Sequence, residues 1–287
     1  MAQTLETLDL TSAAAQPLPT TGAAPGHAAK RKFAASSGKK ESAKIIMLYG
    51  TGGVGKTTLA ALAPRPRLID IEQGSGNVDI DRVELGDGAA WTFSAVREAL
   101  QTPDLWANHD TVVIDSVTKL EELAAKHVCE TIPDEKKGTV SSIEDYGWGH
   151  GPGYLYDAFL LFLADVQALK RAGKNVVLIA HDCIVYTDNP MGKDFVRYEP
   201  RLSSPNSGKS SIRLKAKEEV DGLFYIGYDV AVDKDGKATG SGSRRIYTSE
   251  TPAYMAKHRG VPGPVPYKNA TDATLWGLVF NSTKKGF

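Results

Sequence analysis

This 287-residue chain has only two cysteines, no long apolar run and no net charge. The two cysteines, Cys129 and Cys183, form no C-x-x-C spacing, so neither a disulfide framework nor a zinc site is indicated, and a reducing, cytoplasmic compartment is expected. The longest apolar run, 158–164, is too short to span a bilayer, and the N-terminus has no apolar signal core. We therefore expect a soluble protein without a membrane partner. Because 34 basic residues balance 34 acidic ones, any basic surface for nucleic acid must be local.

Large apolar side chains are also scarce in residues 1–43, which are rich in Ala, Thr, Pro, Ser and Gly. This composition predicts a disordered N-terminal tail over 1–43, followed by one core over 44–287. The tail carries a basic cluster, Lys30, Arg31, Lys32, Lys39 and Lys40. Two interpretations stay open, a solubilising tail and a basic arm that helps to hold nucleic acid.

Residues 50–57 fit the phosphate-binding pattern G-x-x-x-x-G-K-[ST]. The motif follows an apolar strand at 45–49 and precedes a helix predicted from about Gly55 to Leu62, which is the context it requires. Its glycines let successive N–H groups turn toward phosphates, Lys56 reaches the outer phosphates, and the Thr57 hydroxyl completes Mg²⁺ coordination. We predict an ATP and Mg²⁺ site whose nucleotide-binding residues are Gly50, Thr51, Gly52, Gly53, Val54, Gly55, Lys56, Thr57 and Thr58. A glycine-rich turn without function is the alternative.

Strands and helices alternate from residue 44 onward. Strands are predicted at 45–49, 67–72, 111–115, 175–180, 223–232 and 245–248, and helices at 93–100, 117–130 and 154–172. This order predicts an α/β fold with a mostly parallel central sheet, helices on both faces and antiparallel hairpins near the C-terminus. The segments 131–153 and 182–213 are expected to be long connections, which in compact domains are usually functional or disordered.

Two carboxylates are expected at the carboxyl ends of strands. Asp115 ends the strand 111–115 and is predicted to hold Mg²⁺; capping of the next helix is the alternative, although Ser116 could provide that cap. Glu72 ends the strand 67–72 and is predicted to activate the attacking water. Asp70 shares its face because residues two apart on a strand point the same way, so geometry leaves Asp70 open. We favour Glu72 because it lies nearer the carboxyl end.

Taken together, these motifs resemble the RecA family of ATPases over about residues 44–265. The chain is most similar to the minimal RecA-like core ATPases that bacteriophages encode for single-strand DNA recombination. The resemblance implies that Glu72 is the catalytic base and that His181, which follows the strand 175–180, senses the γ-phosphate. The family more often has Gln there, and a histidine that is merely hydrogen-bonded at a strand end is the alternative.

The resemblance also implies a homo-oligomer, either a ring or a filament. Lys257 and Arg259 resemble the family's basic finger, which reaches the ATP of an adjacent subunit and so couples assembly to turnover. A solvated basic turn is the alternative.

In this family two loops contact DNA, and they correspond to 131–153 and 182–213 here. Cations interleaved with aromatic residues suit single strands, because cations follow phosphates and rings stack on bases. The predicted DNA-binding residues are Lys136, Lys137, Trp148, Arg197, Tyr198, Arg201, Lys209 and Arg213. A small hydrophobic lid is the alternative. The expected function is a DNA-stimulated, Mg²⁺-dependent ATPase that assembles on single-stranded DNA and supports recombination, annealing or repair, with a single-strand-binding protein as a candidate partner.

Other classes of nucleotide-binding protein fit less well. The phosphate loop, with Asp70 and Gln73, also resembles partitioning ATPases of the ParA type, but those carry a signature Lys where this chain has Thr51. A GTPase would need an Asn-Lys-x-Asp guanine reader, to which 118–121 is the nearest stretch and lacks the Asp. A DNA motor or helicase would share the core chemistry, but no helicase module is evident.

Overall fold

A computed structural model describes residues 37–38, 42–86, 88–134, 136, 138–205, 209–232, 235 and 238–280. The basic cluster of the predicted tail lies outside these residues, so the tail and the boundary at residue 43 stay predictions. The described residues from Ser42 onward belong to one compact unit. Among the helices in the described ranges, none is long and apolar enough to cross a membrane.

A single large sheet organises the fold. Its strands are β1 (Ile45–Tyr49), β2 (Pro66–Asp70), β3 (Asp81–Arg82), β4 (Thr111–Asp115), β5 (Asn175–Ala180), β8 (Gly222–Val232), β9 (Ala238–Tyr247) and β10 (Val265–Tyr267). They are arranged in the order β10-β9-β8-β1-β5-β4-β2-β3. All pairings from β8 to β3 are parallel, whereas β9 pairs antiparallel with β8 and β10. Strands β1, β4 and β5 are nearly continuous apolar runs because they are buried on both faces.

Helices cover both faces of this sheet. They are α1 (Lys56–Ala60), α2 (Phe93–Gln101), α3 (Val117–Thr131), α4 (Gly151–Arg171), α5 (Ile212–Glu219) and α6 (Thr274–Phe280), with short 3-10 helices at Pro103–Trp106, Ile143–Asp145 and Gly147–Gly149. One apolar core joins the sheet to α2, α3, α4 and α5, and a second core joins the other face to α1 and α6. The predicted α/β fold class, with its C-terminal antiparallel hairpin, is therefore confirmed.

The segment 182–213 differs from its prediction as a long connection. β6 (Asp182–Thr187) and β7 (Phe195–Pro200) pair antiparallel in a separate two-stranded sheet, and α5 begins at Ile212. Side chains on this hairpin alternate between more and less exposed positions, as the period of a strand requires. The prediction was wrong because an exposed hairpin has no buried apolar run to mark it.

The strand order determines where a site can form. Parallel strands β1, β5, β4 and β2 lie side by side, so their carboxyl ends meet at one edge of the sheet. β5 separates β1 from β4, and residues after β5 therefore lie between those after β1 and β4. This edge brings together segments that are more than a hundred residues apart in sequence.

Candidate nucleotide-binding site

The phosphate-binding loop, residues 50–57, leaves the carboxyl end of β1. Gly50 has φ 153°, and a Cβ there would lie 2.2 Å from the carbonyl oxygen of Ile226, so the loop can begin this close to β8 only with glycine. Lys56 Nζ donates to the carbonyl oxygens of Gly50 at 2.7 Å and Thr51 at 2.9 Å. Burial lowers the pKa of the Lys56 ammonium, against the opposing charges of Asp115 and other acids. A buried ammonium held inside the loop is suited to bind phosphate oxygens.

Thr57 and Asp115 meet beside this loop. The Thr57 hydroxyl donates to Asp115 Oδ2 at 2.6 Å across the space between α1 and β4. Burial raises the pKa of Asp115, although the hydrogen bond from Thr57 opposes the shift. Ser116, not Asp115, caps α3, because its hydroxyl accepts the N–H of Lys119. The alternative interpretation, in which Asp115 caps α3, is therefore not supported.

The oxygen atoms of Thr57 and Asp115 fit Mg²⁺, which prefers hard oxygen ligands and usually keeps few protein ligands. Within the described ranges, no three or more His, Cys, Asp or Glu side chains converge in a way that could hold a metal. A cation here would therefore depend on these two side chains together with nucleotide oxygens and water. That donor set is typical of ATP-bound Mg²⁺.

Glu72 lies two residues beyond β2, so the prediction that it ends the strand itself is wrong. The N–H groups of Ile71 and Glu72 both donate to the carbonyl oxygen of Asp115, at 2.7 and 3.3 Å, which ties this turn to β4. The Glu72 carboxylate accepts hydrogen bonds from the Ser116 hydroxyl and from His181 Nε2, the latter at 2.9 Å. Burial works to raise the pKa of Glu72, but these two donors and the nearby positive charges bring it below its ordinary value. The carboxylate is therefore ionised at neutral pH and able to accept a proton.

Asp70, the other carboxylate that the sequence left open, has a different set of partners. Its oxygens accept from the Ser75 hydroxyl at 2.5 Å, from the Ser75 N–H at 3.0 Å and from the Gly74 N–H at 3.3 Å. These bonds hold the loop after β2. Asp70 lines the cleft, but its oxygens are engaged with that loop, which favours Glu72 as the base.

His181, which follows β5, forms hydrogen bonds with residues from three other segments. Its backbone N–H donates to the Thr118 hydroxyl at 3.0 Å, its ring contacts Glu72, and its carbonyl oxygen accepts from the N–H of Arg201 at 2.9 Å. The cleft between these groups has a volume of about 290 Å³ and is lined by the phosphate loop, Asp115, Glu72 and His181. The structure therefore brings the predicted phosphate, metal, base and sensor residues to one cleft. Their individual roles stay predictions.

The two residues of the predicted finger have different environments. Lys257 Nζ donates to the carbonyl oxygens of Lys217 at 2.8 Å and Glu218 at 2.9 Å near the end of α5, so the amine is engaged within the protomer. Arg259 is 69% exposed, with a contact of 3.5 Å to Asp221. Of the pair, Arg259 is the one that presents its charge to solvent.

Arg259 lies at the edge of the sheet opposite the phosphate loop. Its partner Asp221 accepts the N–H of Ile45, the first residue of β1, at 2.9 Å, whereas the loop begins after Tyr49 at the other end of that strand. The length of β1, roughly 13 Å at the usual rise per residue, separates the two ends. Arg259 is therefore placed away from the nucleotide site of its own chain.

Lys136 and Trp148 lie together in the first predicted DNA-binding segment. Lys136 Nζ is 5.5 Å from the centre of the Trp148 ring, which is the geometry of a cation–π contact. Trp148 is 88% exposed, so the ring does not fold back as part of a hydrophobic lid. Lys137 lies outside the described residues.

Two predicted DNA-binding arginines face inward instead. Arg197 and Arg213 both pair with Glu199, at 2.6 and 2.7 Å, and Glu199 is buried. Arg197 also pairs with Glu250 at 2.8 Å. Both guanidinium groups are thus largely buried and neutralise acidic partners, and drawing them out to phosphate would leave a buried carboxylate unpaired, which is costly. Contrary to the prediction, the structure does not present these two arginines on a DNA-facing surface.

The other predicted residues of the second segment lie at the surface. Arg201 and Lys209 are exposed, and Tyr198 is partly exposed with its ring stacked on Tyr225, 5.1 Å between centres. A cleft of about 1010 Å³ separates this segment from α3 and residues 140–155. Its lining carries the acidic residues Glu121, Glu122, Glu130 and Glu144 against the basic residues Lys126 and Arg201. Because acidic residues outnumber basic ones in this lining, the cleft itself is unsuited to the phosphate backbone of a nucleic acid. Basic residues that contact a nucleic acid would have to lie along its rim.

Two further residues, which were not predicted from the sequence, contact the phosphate loop. Arg244 Nη1 donates to the carbonyl oxygen of Val54 at 3.0 Å, and the Tyr267 hydroxyl donates to that of Gly55 at 3.1 Å. Both come from the C-terminal antiparallel strands, about 190 residues or more from the loop. No local motif marks contacts of this kind, because they depend on the pairing of β8, β9 and β10.

A family model described as an AAA domain matches residues 42–260 of the chain. Comparison with curated proteins finds no match. Among solved structures, the chain is similar to a KaiC-like protein from the hyperthermophilic archaeon Pyrococcus horikoshii OT3, with 13% identity and a TM-score of 0.40, covering 80% of this chain and 88% of that one. A likeness at this level says nothing about what either protein acts on.

Proposed function

We propose that this chain, which belongs to the AAA domain family of P-loop NTPases, is a Mg²⁺-dependent ATPase. We further propose that it assembles on single-stranded DNA and supports recombination, annealing or repair. The observation that carries the ATPase part is the contact between Thr57 and Asp115 beside the phosphate loop, with the ionised Glu72 in the same cleft. These three groups are among the parts that phosphoryl transfer to water requires.

In the proposed mechanism, Lys56 leaves the carbonyl oxygens of Gly50 and Thr51 and binds the outer phosphates of ATP. Thr57 and Asp115 are the side chains that would hold Mg²⁺, and the ion would neutralise charge that develops on the phosphate oxygens. Glu72 orients a water molecule and accepts its proton as the water oxygen attacks the γ-phosphorus. The bond from the γ-phosphorus to the oxygen that bridges it to the β-phosphate breaks in the same step, and ADP and inorganic phosphate leave. Because Ser116 and His181 hold the Glu72 carboxylate in place, little reorganisation is needed before the proton moves.

The proposed assembly is supported by the position of Arg259. An exposed cation at the edge opposite the phosphate loop cannot serve its own nucleotide, but it is available to a neighbouring subunit. A cation supplied in this way would stabilise the transferring phosphoryl group only after assembly. Turnover would then report the assembled state.

The proposed DNA contact is supported by Lys136 and Trp148, which combine an exposed ring with a cation, and by exposed Arg201 and Lys209. Such pairs suit single strands because rings stack on unpaired bases. Arg201 also offers a route from DNA to catalysis, since its N–H binds the carbonyl oxygen of His181, whose ring holds Glu72. Movement of Arg201 on binding DNA would shift the group that positions the base.

The test is ATP hydrolysis measured with and without single-stranded DNA, with duplex DNA and GTP as controls. We expect single strands to stimulate turnover several-fold and duplex DNA to have little effect. If the protein hydrolyses ATP at a rate that single strands do not change, the proposed ATPase activity stands and the proposed assembly on single-stranded DNA is refuted. Absence of ATP binding by the folded protein would refute both.

A further inference from the structure

Two side chains from the C-terminal strands, Arg244 and Tyr267, donate hydrogen bonds to backbone carbonyl oxygens of the phosphate loop. Arg244 on β9 and Tyr267 on β10 are directly opposite each other in the antiparallel register, so both point from the same face of the sheet. The Arg244 guanidinium lies 4.3 Å from the centre of the Tyr267 ring, and Tyr267 is 1% exposed. Stacking in a buried site fixes both side chains before any ligand arrives.

The two contacts act on consecutive peptide units. Arg244 holds the carbonyl oxygen of Val54, and Tyr267 holds that of Gly55. In a planar trans peptide the carbonyl and the following N–H point in opposite directions. Pinning these carbonyls therefore aims the N–H groups of Gly55 and Lys56 the other way, into the loop, where backbone N–H groups cradle phosphates.

Only glycine at position 55 permits this close contact. It has φ 99°, in the left-handed region that favours glycine, and a Cβ there would lie 2.7 Å from Arg244 Nη1 and 3.0 Å from the Tyr267 hydroxyl oxygen. The second glycine of the motif thus allows the close approach of the pair as well as the turn of the loop. Neither Arg244 nor Tyr267 lines the cleft that holds Asp115 and Glu72.

We propose that Arg244 and Tyr267 are positioning residues that preorganise the phosphate loop, so that the C-terminal hairpin sets the affinity for nucleotide. The proposal rests on the proposed ATP binding. Because the aimed N–H groups serve phosphates common to ATP and ADP, both nucleotides depend on the pair equally. The pair acts on binding and leaves the step at the γ-phosphate to other residues.

The test compares Tyr267→Phe and Arg244→Met with the wild-type protein. Tyr267→Phe removes only the hydroxyl, and Arg244→Met removes the donor and its charge while keeping an unbranched apolar stem. We expect Kd for ATP and for ADP to rise together, by about tenfold or more for Arg244→Met, since hydrogen bonds from charged groups are the stronger ones. KM should rise with them while kcat is largely retained, and Arg244→Lys should recover part of the affinity.

Arg245→Met is the matched control. Arg245 is the next residue on β9, points from the opposite face and pairs with Asp229 at 2.6 Å, away from the loop. It should leave both affinities unchanged. Unchanged Kd values in folded Tyr267→Phe and Arg244→Met, measured beside a wild type that binds ATP, would overturn this inference alone. A loss of kcat and melting temperature without a change in Kd would show a merely structural role and also overturn it. A wild type that binds no ATP would refute the proposed function and this inference with it.

Discussion

Replacing Glu72 by Gln tests the assignment of the catalytic base most directly. The change removes the proton-accepting charge but keeps the length of the side chain and one carbonyl oxygen that can accept from Ser116 or His181. General-base catalysis contributes about 10²- to 10⁴-fold, so kcat should fall by that factor, which corresponds to about 3 to 5 kcal/mol in the barrier. ATP binding should be retained or tighten, because a negative charge leaves the neighbourhood of the phosphates.

Asp70→Asn is the matched control, because Asp70 is the carboxylate that shares the face of β2. Its oxygens hold Ser75 and Gly74, so the substitution should weaken that loop, at a cost of about 1 to 3 kcal/mol in the free energy of unfolding. The folded variant should nevertheless keep most of its turnover. Phosphate release, ATP affinity and thermal unfolding are measured on both variants. Near-normal kcat in Glu72→Gln, or lost turnover in folded Asp70→Asn, would refute the reasoning.

Three further predictions concern the loop, the assembly and DNA. Lys56→Ala should abolish tight ATP binding, measured by titration with a fluorescent nucleotide; Kd close to wild type would contradict the role of the ammonium. Inactive Arg259→Ala mixed with inactive Glu72→Gln should regain partial turnover at shared interfaces, whereas no recovery at any mixing ratio would leave action in trans unsupported. Single-strand binding should weaken steeply with salt, and Lys136→Ala should reduce that salt dependence while Trp148→Ala weakens binding with little change in the slope. Binding that ignores salt would contradict the basic surface.

The parallel part of the fold was predictable because its signals are local. The strands 111–115 and 175–180 were predicted with the bounds that they have, since uninterrupted apolar runs mark strands buried on both faces. α1 is shorter than predicted, ending at Ala60 rather than Leu62, as helix ends are weakly defined by sequence. The hairpin β6–β7 was missed because its exposed strands have no buried run.

The parts of the site that depend on distant pairing could not be predicted. Arg197 and Arg213 are basic residues in a polar stretch, and only the fold reveals that both converge on the buried Glu199. Likewise, Arg244 meets the phosphate loop only because β9 and β10 extend the sheet beside β8. In contrast, local motifs were enough to assign both Thr57 and Asp115 to one predicted Mg²⁺ site, and the hydrogen bond between them agrees with that assignment.

The placement of Arg259 and the phosphate loop at opposite edges of one sheet has a consequence for stoichiometry. An interface to which one subunit offers only its arginine edge and the next offers only its nucleotide edge is heterologous. An open array of such subunits has one incomplete site at its nucleotide-edge terminus and one unused arginine at the other. A closed ring has neither. Mean turnover per subunit would therefore rise with the length of an open array, because the incomplete terminal site becomes a smaller fraction of all sites. In a closed ring every site is complete, so every subunit would turn over equally.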